Sequence, residues 1–282
     1  MVAEAGINHN GDIKIAKKMV LEAKNAGANA IKFQTFRADD LASPASKFYK
    51  VFKKVELNES DFGEISDFAK SNQIVFFSTP FSEESADVLN ALKVPMFKIS
   101  SGDLTHLPLL EYVSKKKKPV IISTGMSNLE EVNVAVDTIQ RTGNNKIIIL
   151  HSVSSYPTPN SEVNARAILT LKNRFVYPIG YSDNGSGTIA SLIAVSMGAV
   201  LIEKHFTLNK KMKGPDQSFS ADPLEFSTLT KLIRDAETIL GDGRKICRPS
   251  ENENRLLARR SIVAKRSEEH TSELQSRLHL VC

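Results

Sequence analysis

Glu203, Lys204 and His205 stand together after the apolar run Ala199-Val-Leu-Ile202 and supply an acid, a base and a potential metal ligand. Such a run reads as a buried strand of the parallel-sheet kind. Its carboxyl end is where α/β proteins assemble their sites. Other apolar runs end in the same way. Val2-Ala3 leads into Glu4, the 30–34 run carries Lys32 and Gln34, and the 74–78 run is followed by Thr79. The 96–100 run carries Lys98 and is followed by Ser101, and the 120–123 run ends at Ser123. The 147–151 run leads to Ser154 and Tyr156, and the 176–180 run to Ser182 and Asn184. An unpaired lysine inside an apolar strand costs several kcal/mol by burial. Lys32 and Lys98 therefore either pair with Glu4 or Glu203 or hold an anionic substrate. The hydroxyls of Thr79, Ser101, Ser123 and Ser182 can cap the helices that follow. Beside two lysines they also describe a phosphate cradle.

Elements that would bring these residues together are legible in the pattern. Eight apolar runs alternate with segments of helical period, among them 13–26, 61–71, 83–92, 129–141, 189–197 and 224–240. Asn128 and Ser82 precede acidic first turns, and Gly27 and Gly198 follow helices at the C′ position. Eight such repeats predict an α/β chain folded as a (β/α)8 TIM barrel, with its strand ends converging on one pocket. An open doubly wound sheet is the runner-up, but it needs no eighth strand.

Composition narrows the function classes. Of 282 residues 41% are hydrophobic, enough for a sizeable core, and the net charge of +5 is spread along the chain. The Lys115–Lys118 run reads as a solvated turn, so nucleic acid is not an expected partner, whereas small anionic substrates suit the mild positive balance. No run is long enough to span a membrane. The two cysteines and the acidic start Met1-Val-Ala-Glu4 fit a cytoplasmic protein.

Taken in order, a set of motifs resembles the sialic acid synthase family. They include Glu4-Ala-Gly-Ile-Asn-His-Asn-Gly11, Ile31-Lys-Phe-Gln-Thr35, Phe77-Ser-Thr-Pro-Phe81 and Phe97-Lys-Ile-Ser-Ser-Gly102. Ser123-Thr-Gly-Met126, Tyr156-Pro-Thr-Pro159, Gly180-Tyr-Ser-Asp183, Ile202-Glu-Lys-His-Phe-Thr207 and Gly214-Pro-Asp216 complete them. The resemblance implies a phosphoenolpyruvate-dependent transferase that joins that substrate to an N-acetylated amino sugar (N-acetylmannosamine or a 2,4-diacetamido-dideoxy hexose). The product is a nine-carbon 2-keto sugar acid, and phosphate is released. It implies a divalent metal cofactor, Mn²⁺ or Mg²⁺, and a homodimer in the full-length protein. By the same resemblance Lys98, Thr79, Ser101, Ser123 and Ser182 bind phosphoenolpyruvate. Lys32, Gln34, Tyr156 and Asp216 hold the amino sugar, Glu4 and Glu203 flank the reacting centre, and His205 ligates the metal. Catalytic roles are expected of Glu4, Lys98 and Glu203.

Three departures from the family pattern stand out. Asn184 occupies the position where a second metal-binding His is usual; its carbonyl oxygen can ligate Mg²⁺ or Mn²⁺. Ser154 stands where some members place an Asn in the phosphoenolpyruvate pocket. Residues 1–245 read as the catalytic barrel and 246–265 as a linker toward an antifreeze-like domain. The stretch 266–282, beginning Arg266-Ser-Glu-Glu-His270, then resembles a translated sequencing adapter rather than native sequence. Another phosphoenolpyruvate-dependent keto-sugar-acid synthase, or a truncated barrel that binds phosphoenolpyruvate without turnover, are the alternative functions.

Overall fold

The structure, a computed structural model, describes residues 1–261 and 279–280. Eight parallel strands close into a TIM barrel: β1 (Val2–Gly6), β2 (Ala30–Thr35), β3 (Val75–Pro80), β4 (Phe97–Ile99), β5 (Val120–Ser123), β6 (Ile147–Ser152), β7 (Ile179–Asp183) and β8 (Ile202–His205). They follow one another in sequence order, and β8 pairs back onto β1 with Glu4 opposite His205. Helices wrap the outside, their apolar stripes packed on the strands. Asn58 and Asn128 close capping boxes with Asp61 and Glu131, and the Ser82 side chain accepts from Ser85 N–H. Gly27 and Gly198 take φ of +87° and +89° as their helices end, a region open to glycine at little cost.

Two strands start later than their apolar runs suggest. Val176 is 95% exposed and Val200 71% exposed, so both lie before the ladder rather than in it. Pro178 has no N–H to donate; its carbonyl accepts from Ile149, and regular pairing begins at Ile179. The shift matters for β8, because Glu203, Lys204 and His205 thereby become ladder residues with alternating faces. Lys204 turns away from Glu203 to meet Asp183 at 3.0 Å and the Gly185 carbonyl at 2.5 Å. Asp183 also accepts from Gly185 N–H and Ser191 Oγ, so this buried pair ties down the turn after β7.

The connection after β2 is the longest, and it carries the short helices Ala38–Leu41 and Tyr49–Val55. A second apolar cluster of Ile7, Phe36 and Val55, with Phe52 and Phe81 packed against it, seats this segment. Phe52 and Phe81 both meet Phe36 edge-on. The chain divides into two compact units, Met1–Ile239 and Leu240–Cys282. The second unit contains the helix Asn252–Ala258 and a two-residue antiparallel pair, Arg260–Ser261 with His279–Leu280. Apart from those last two residues, the stretch expected to be non-native, 266–282, lies outside the described residues. Among the described residues no helix is long and apolar enough to cross a membrane.

Candidate active site

A cavity of about 360 Å³ opens at the carboxyl ends of the strands. Its floor is ionic. Lys32 Nζ lies 2.6 Å from Glu4 Oε2 and 3.8 Å from Glu203 Oε2, and Lys98 Nζ lies 3.8 Å from Glu203 Oε1. All four residues are at most 5% exposed. The strands dictate this quartet: Glu4 and Lys32 are register partners across β1 and β2, and Ser182 pairs with Glu203 across β7 and β8. Two lysines and two carboxylates balance in charge, which offsets the desolvation that each would suffer alone.

Burial pushes Glu4 up to about 7 despite its contact with Lys32, and pulls Lys98 down to about 8 despite Glu203. Burial would also raise Glu203, but Lys32, Lys98 and the Ser182 hydroxyl at 2.9 Å outweigh it and hold the carboxyl below its ordinary value. Lys32 is likewise desolvated, yet Glu203 and Glu4 keep it above the ordinary lysine range. The site thus holds one firm carboxylate, one firm ammonium and two groups that titrate near neutrality, a pattern suited to proton transfer.

On one side of the quartet the wall is made of hydroxyls. Ser100, Ser101, Ser123, Ser152, Ser182 and Thr79 line the cavity. None of the four hydroxyl residues weighed as caps serves as one. Thr79 accepts from Lys32 at 3.3 Å, Ser101 accepts from Gly125 N–H at 3.1 Å, Ser182 donates to Glu203, and Ser123 Oγ is buried with no protein partner. A Cβ on Gly125 would sit 2.8 Å from Ser101 Oγ and collide with Ser154 Oγ, which is itself buried without a partner. The partnerless Ser123 and Ser154 hydroxyls, with a bare glycine beside Ser154, make a polar hollow that calls for a ligand oxygen.

The opposite side combines a polar cluster with an apolar wall. Gln34 donates to Glu4 at 3.3 Å, and Asp216 Oδ2 lies 4.0 Å from His205 Nδ1. Burial pushes Asp216 up to about 6 and His205 down to about 3, with the nearby Lys32 charge adding to the second effect. His205 is therefore a neutral imidazole, and its Nδ1 is buried without a hydrogen bond. The Tyr156 and Phe219 rings pack around it at centroid distances of 5.7 and 5.2 Å. Ile7, Phe48, Val51, Phe52 and Pro215 supply the apolar surface.

The family model described as NeuB matches residues 19–245. The chain belongs to the NeuB family. It is 51% identical to an uncharacterized protein of Methanocaldococcus jannaschii over 95% of this chain and 79% of that one. It is 45% identical to the N,N'-diacetyllegionaminic acid synthase of Legionella pneumophila over 94% of this chain and 80% of that protein. The N-acetylneuraminic acid (sialic acid) synthetase of Leptospira borgpetersenii superposes with a TM-score of 0.86 at 35% identity, covering 91% of this chain and 90% of that one. As a NeuB-family chain it is an enzyme, a phosphoenolpyruvate-dependent transferase, as its motifs implied.

Of the residues singled out from the sequence, all but Ser154 and Lys204 line this NeuB cavity; Ser154 instead lies against Gly125, and Lys204, read as the base beside Glu203, points to the other face of β8 and pairs with Asp183. Lys32 makes the structural ion pair with Glu4 that was the alternative to substrate binding, and faces the cavity as well. Sequence reasoning missed Ser100, Ser152 and the apolar wall. Ser100 ends and Ser152 adjoins a run already recognised as a strand, and both could have been found there; the wall gathers Ile7, Pro215 and residues of the short helix Tyr49–Val55 with Phe48 before it, none of which carries a chemical signature.

Donors for a divalent cation are present but few. His205 offers an unpartnered imidazole nitrogen. Asn184 spends its amide N–H groups on Val153 O at 2.8 Å and Ser152 Oγ at 3.3 Å, which leaves Oδ1 as its available ligand atom. Among the described residues no three His, Cys, Asp or Glu side chains cluster as a metal site. One nitrogen and one neutral oxygen fit an ion such as Mg²⁺ or Mn²⁺ that retains water and takes substrate oxygens.

Proposed function

We propose that this enzyme condenses phosphoenolpyruvate with the open-chain aldehyde of an N-acetylated hexosamine, giving a nine-carbon 2-keto sugar acid and inorganic phosphate. The observation that carries the reading is the buried Glu4–Lys32–Lys98–Glu203 quartet beside a wall of hydroxyls, of which Ser123 has no protein partner. Ser101, Ser123, Ser182 and Thr79, with Lys98 as the cation, take the phosphate and carboxylate of phosphoenolpyruvate. Ser154 supports that hollow from behind Gly125. Lys32, Gln34, Tyr156 and Asp216 hold the amino sugar.

In the reaction, the C2=C3 π electrons of phosphoenolpyruvate form the bond from C3 to the aldehyde carbon as the carbonyl π bond breaks, and the aldehyde oxygen takes a proton from solvent water. Positive charge develops at C2, where the Glu4 carboxylate stabilises it. Water adds at C2 and loses its proton to Glu203, which is ionised at neutral pH. Lys98 then gives a proton to the bridging oxygen as the C2–O bond to phosphate breaks, and the C2 hydroxyl releases its proton to solvent as the 2-keto group forms. A divalent ion held by His205 and Asn184 would supply Lewis-acid polarisation of the aldehyde oxygen. Release of phosphate only when phosphoenolpyruvate and amino sugar are both present tests the scheme. Phosphate release with a phosphorylated aldose instead would move the chain to the other class of keto-sugar-acid synthase, and phosphoenolpyruvate binding without turnover would make it a binding barrel.

The pH dependence follows from the same roles. Glu4 must be ionised, so kcat/KM rises as pH passes about 7; Lys98 must be protonated, so it falls as pH passes about 8. A narrow bell between those limbs is expected, and Glu4→Gln should remove the acid limb from whatever activity remains. An acid limb unchanged in that variant would take Glu4 out of the role.

The apolar wall of Ile7, Phe48, Val51, Phe52 and Pro215 favours a 2,4-diacetamido-6-deoxy hexose over N-acetylmannosamine. A methyl in place of a hydroxymethyl, and a second acetyl methyl, suit a surface that offers no hydrogen bonds. Relatives named as N,N'-diacetyllegionaminic acid synthases, at 45% and 41% identity, support this choice. A preference of about tenfold in kcat/KM is expected, the scale of one small apolar group in a hydrophobic pocket. Phe48→Ser should narrow it; equal rates for the two sugars in the unmodified enzyme would exclude the wall as a selector.

A further inference from the structure

Asp216 reaches the cavity on the loop between β8 and the helix Pro223–Leu240, a segment whose ends are joined by Thr207 N–H to Ala221 O and Ala221 N–H to His205 O, 2.9 and 2.8 Å. Beneath this loop lie four polar side chains that touch neither cavity nor solvent. Asn8, Thr207, Gln217 and Ser220 are each at most 1% exposed. Gln217 Nε2 donates to the Asn8 carbonyl at 2.9 Å, and the Thr207 hydroxyl donates to Gln217 Oε1. Asn8 Nδ2 donates to Phe206 O and to Ser220 Oγ, both at 2.9 Å, and Ser220 Oγ donates to the Asp216 carbonyl at 2.5 Å. Gly214 leaves the room required: a Cβ there would stand 2.9 Å from Gln217 Cγ and 3.1 Å from its Nε2.

We infer that Gln217 and Asn8 are positioning residues for the amino-sugar half of the site, acting through Asp216. The network joins the loop after β1, the end of β8 and the backbone of Asp216 itself, so it determines where that carboxylate stands. The carboxylate lies 4.0 Å from His205 Nδ1, beyond hydrogen-bond reach, so the backbone that carries it sets its place. Asn8 Oδ1 is buried without a partner, but the Asn8 and Gln217 amide nitrogens, Gln217 Oε1 and the Thr207 and Ser220 hydroxyls are all engaged, and a buried network paired to that extent holds its members in place as a latch. The hydroxyl wall belongs to other strands, so the latch leaves phosphoenolpyruvate binding alone. This inference rests on the reading of Asp216 as an amino-sugar residue.

The test uses Gln217→Met, Thr207→Val and Asp216→Asn in the full chain. Gln217→Met is expected to raise the amino-sugar KM about tenfold, since small misplacements of positioning groups are costly. Phosphoenolpyruvate affinity, titrated without sugar, should stay within about twofold, and Thr207→Val should act in the same direction, covering the case in which Gln217→Met fails to fold. In the Asp216→Asn background, Gln217→Met should add little further effect. A silent latch variant alongside an impaired Asp216→Asn overturns the latch alone, as does an effect that persists undiminished in the double variant. An Asp216→Asn enzyme with unchanged amino-sugar KM removes the reading of Asp216 and the latch with it.

Discussion

Glu203→Gln is expected to lower kcat by roughly 10²–10⁴-fold, the usual reach of one general acid–base group. The substitution keeps the shape of the side chain, so the Ser182 contact at 2.9 Å can persist. What it removes is the one carboxylate in the quartet whose surroundings hold it ionised at neutral pH. Lys32 and Lys98 would then share only Glu4, leaving the floor more positive. Phosphoenolpyruvate, an anion, should therefore bind as well as before or more tightly. Loss of turnover with retained binding, read by phosphate release and by calorimetric titration, distinguishes a chemical role from collapse of the site. Full turnover in Glu203→Gln would remove Glu203 from the acid–base scheme.

Gly125→Ala is expected to weaken phosphoenolpyruvate binding about 100-fold, the scale of losing contact with one or two well-oriented charged oxygens. The added methyl would stand 2.8 Å from Ser101 Oγ and 3.2 Å from its Cβ, and would displace the Ser154 hydroxyl. Ser154 can answer by rotating; Ser101 is pressed at its Cβ as well and cannot rotate out of the way. Adding Ser154→Ala should therefore recover only part of the lost affinity. Complete recovery would mean that the collision with Ser154 alone is at fault, and unchanged affinity in Gly125→Ala would place the anion elsewhere in the cavity. Amino-sugar KM should move little, because Lys32, Gln34 and Asp216 lie on other elements.

The ionic floor was legible in the sequence because Glu4, Lys32, Lys98 and Glu203 sit within or at the end of apolar strands, where an ionisable residue contradicts its surroundings. The barrel was legible because capping residues and C′ glycines punctuate eight repeats of one pattern. Strand limits were less so: Val176 and Val200 have the side chains of strand residues but stand before the ladders. Apolar character says that a residue can pair, while pairing itself depends on what lies alongside. The same limit hid the apolar wall and the latch. Phe48 and Val51 belong to a short helix and Gln217 to a loop, where no period or spacing marks them, and they acquire a role only when the chain folds back over the strands.

The segment between β2 and β3 has a consequence for how such enzymes diverge. Its wall residues stand on their own small apolar cluster of Ile7, Phe36 and Val55, while the ionic quartet is rooted in the strands. Selection can therefore rework Phe48, Val51 and their neighbours with little disturbance to the groups that make and break bonds. An enzyme built in this way can alter one wall of its cavity by changes confined to the connection between β2 and β3, and keep the groups rooted in its strands intact.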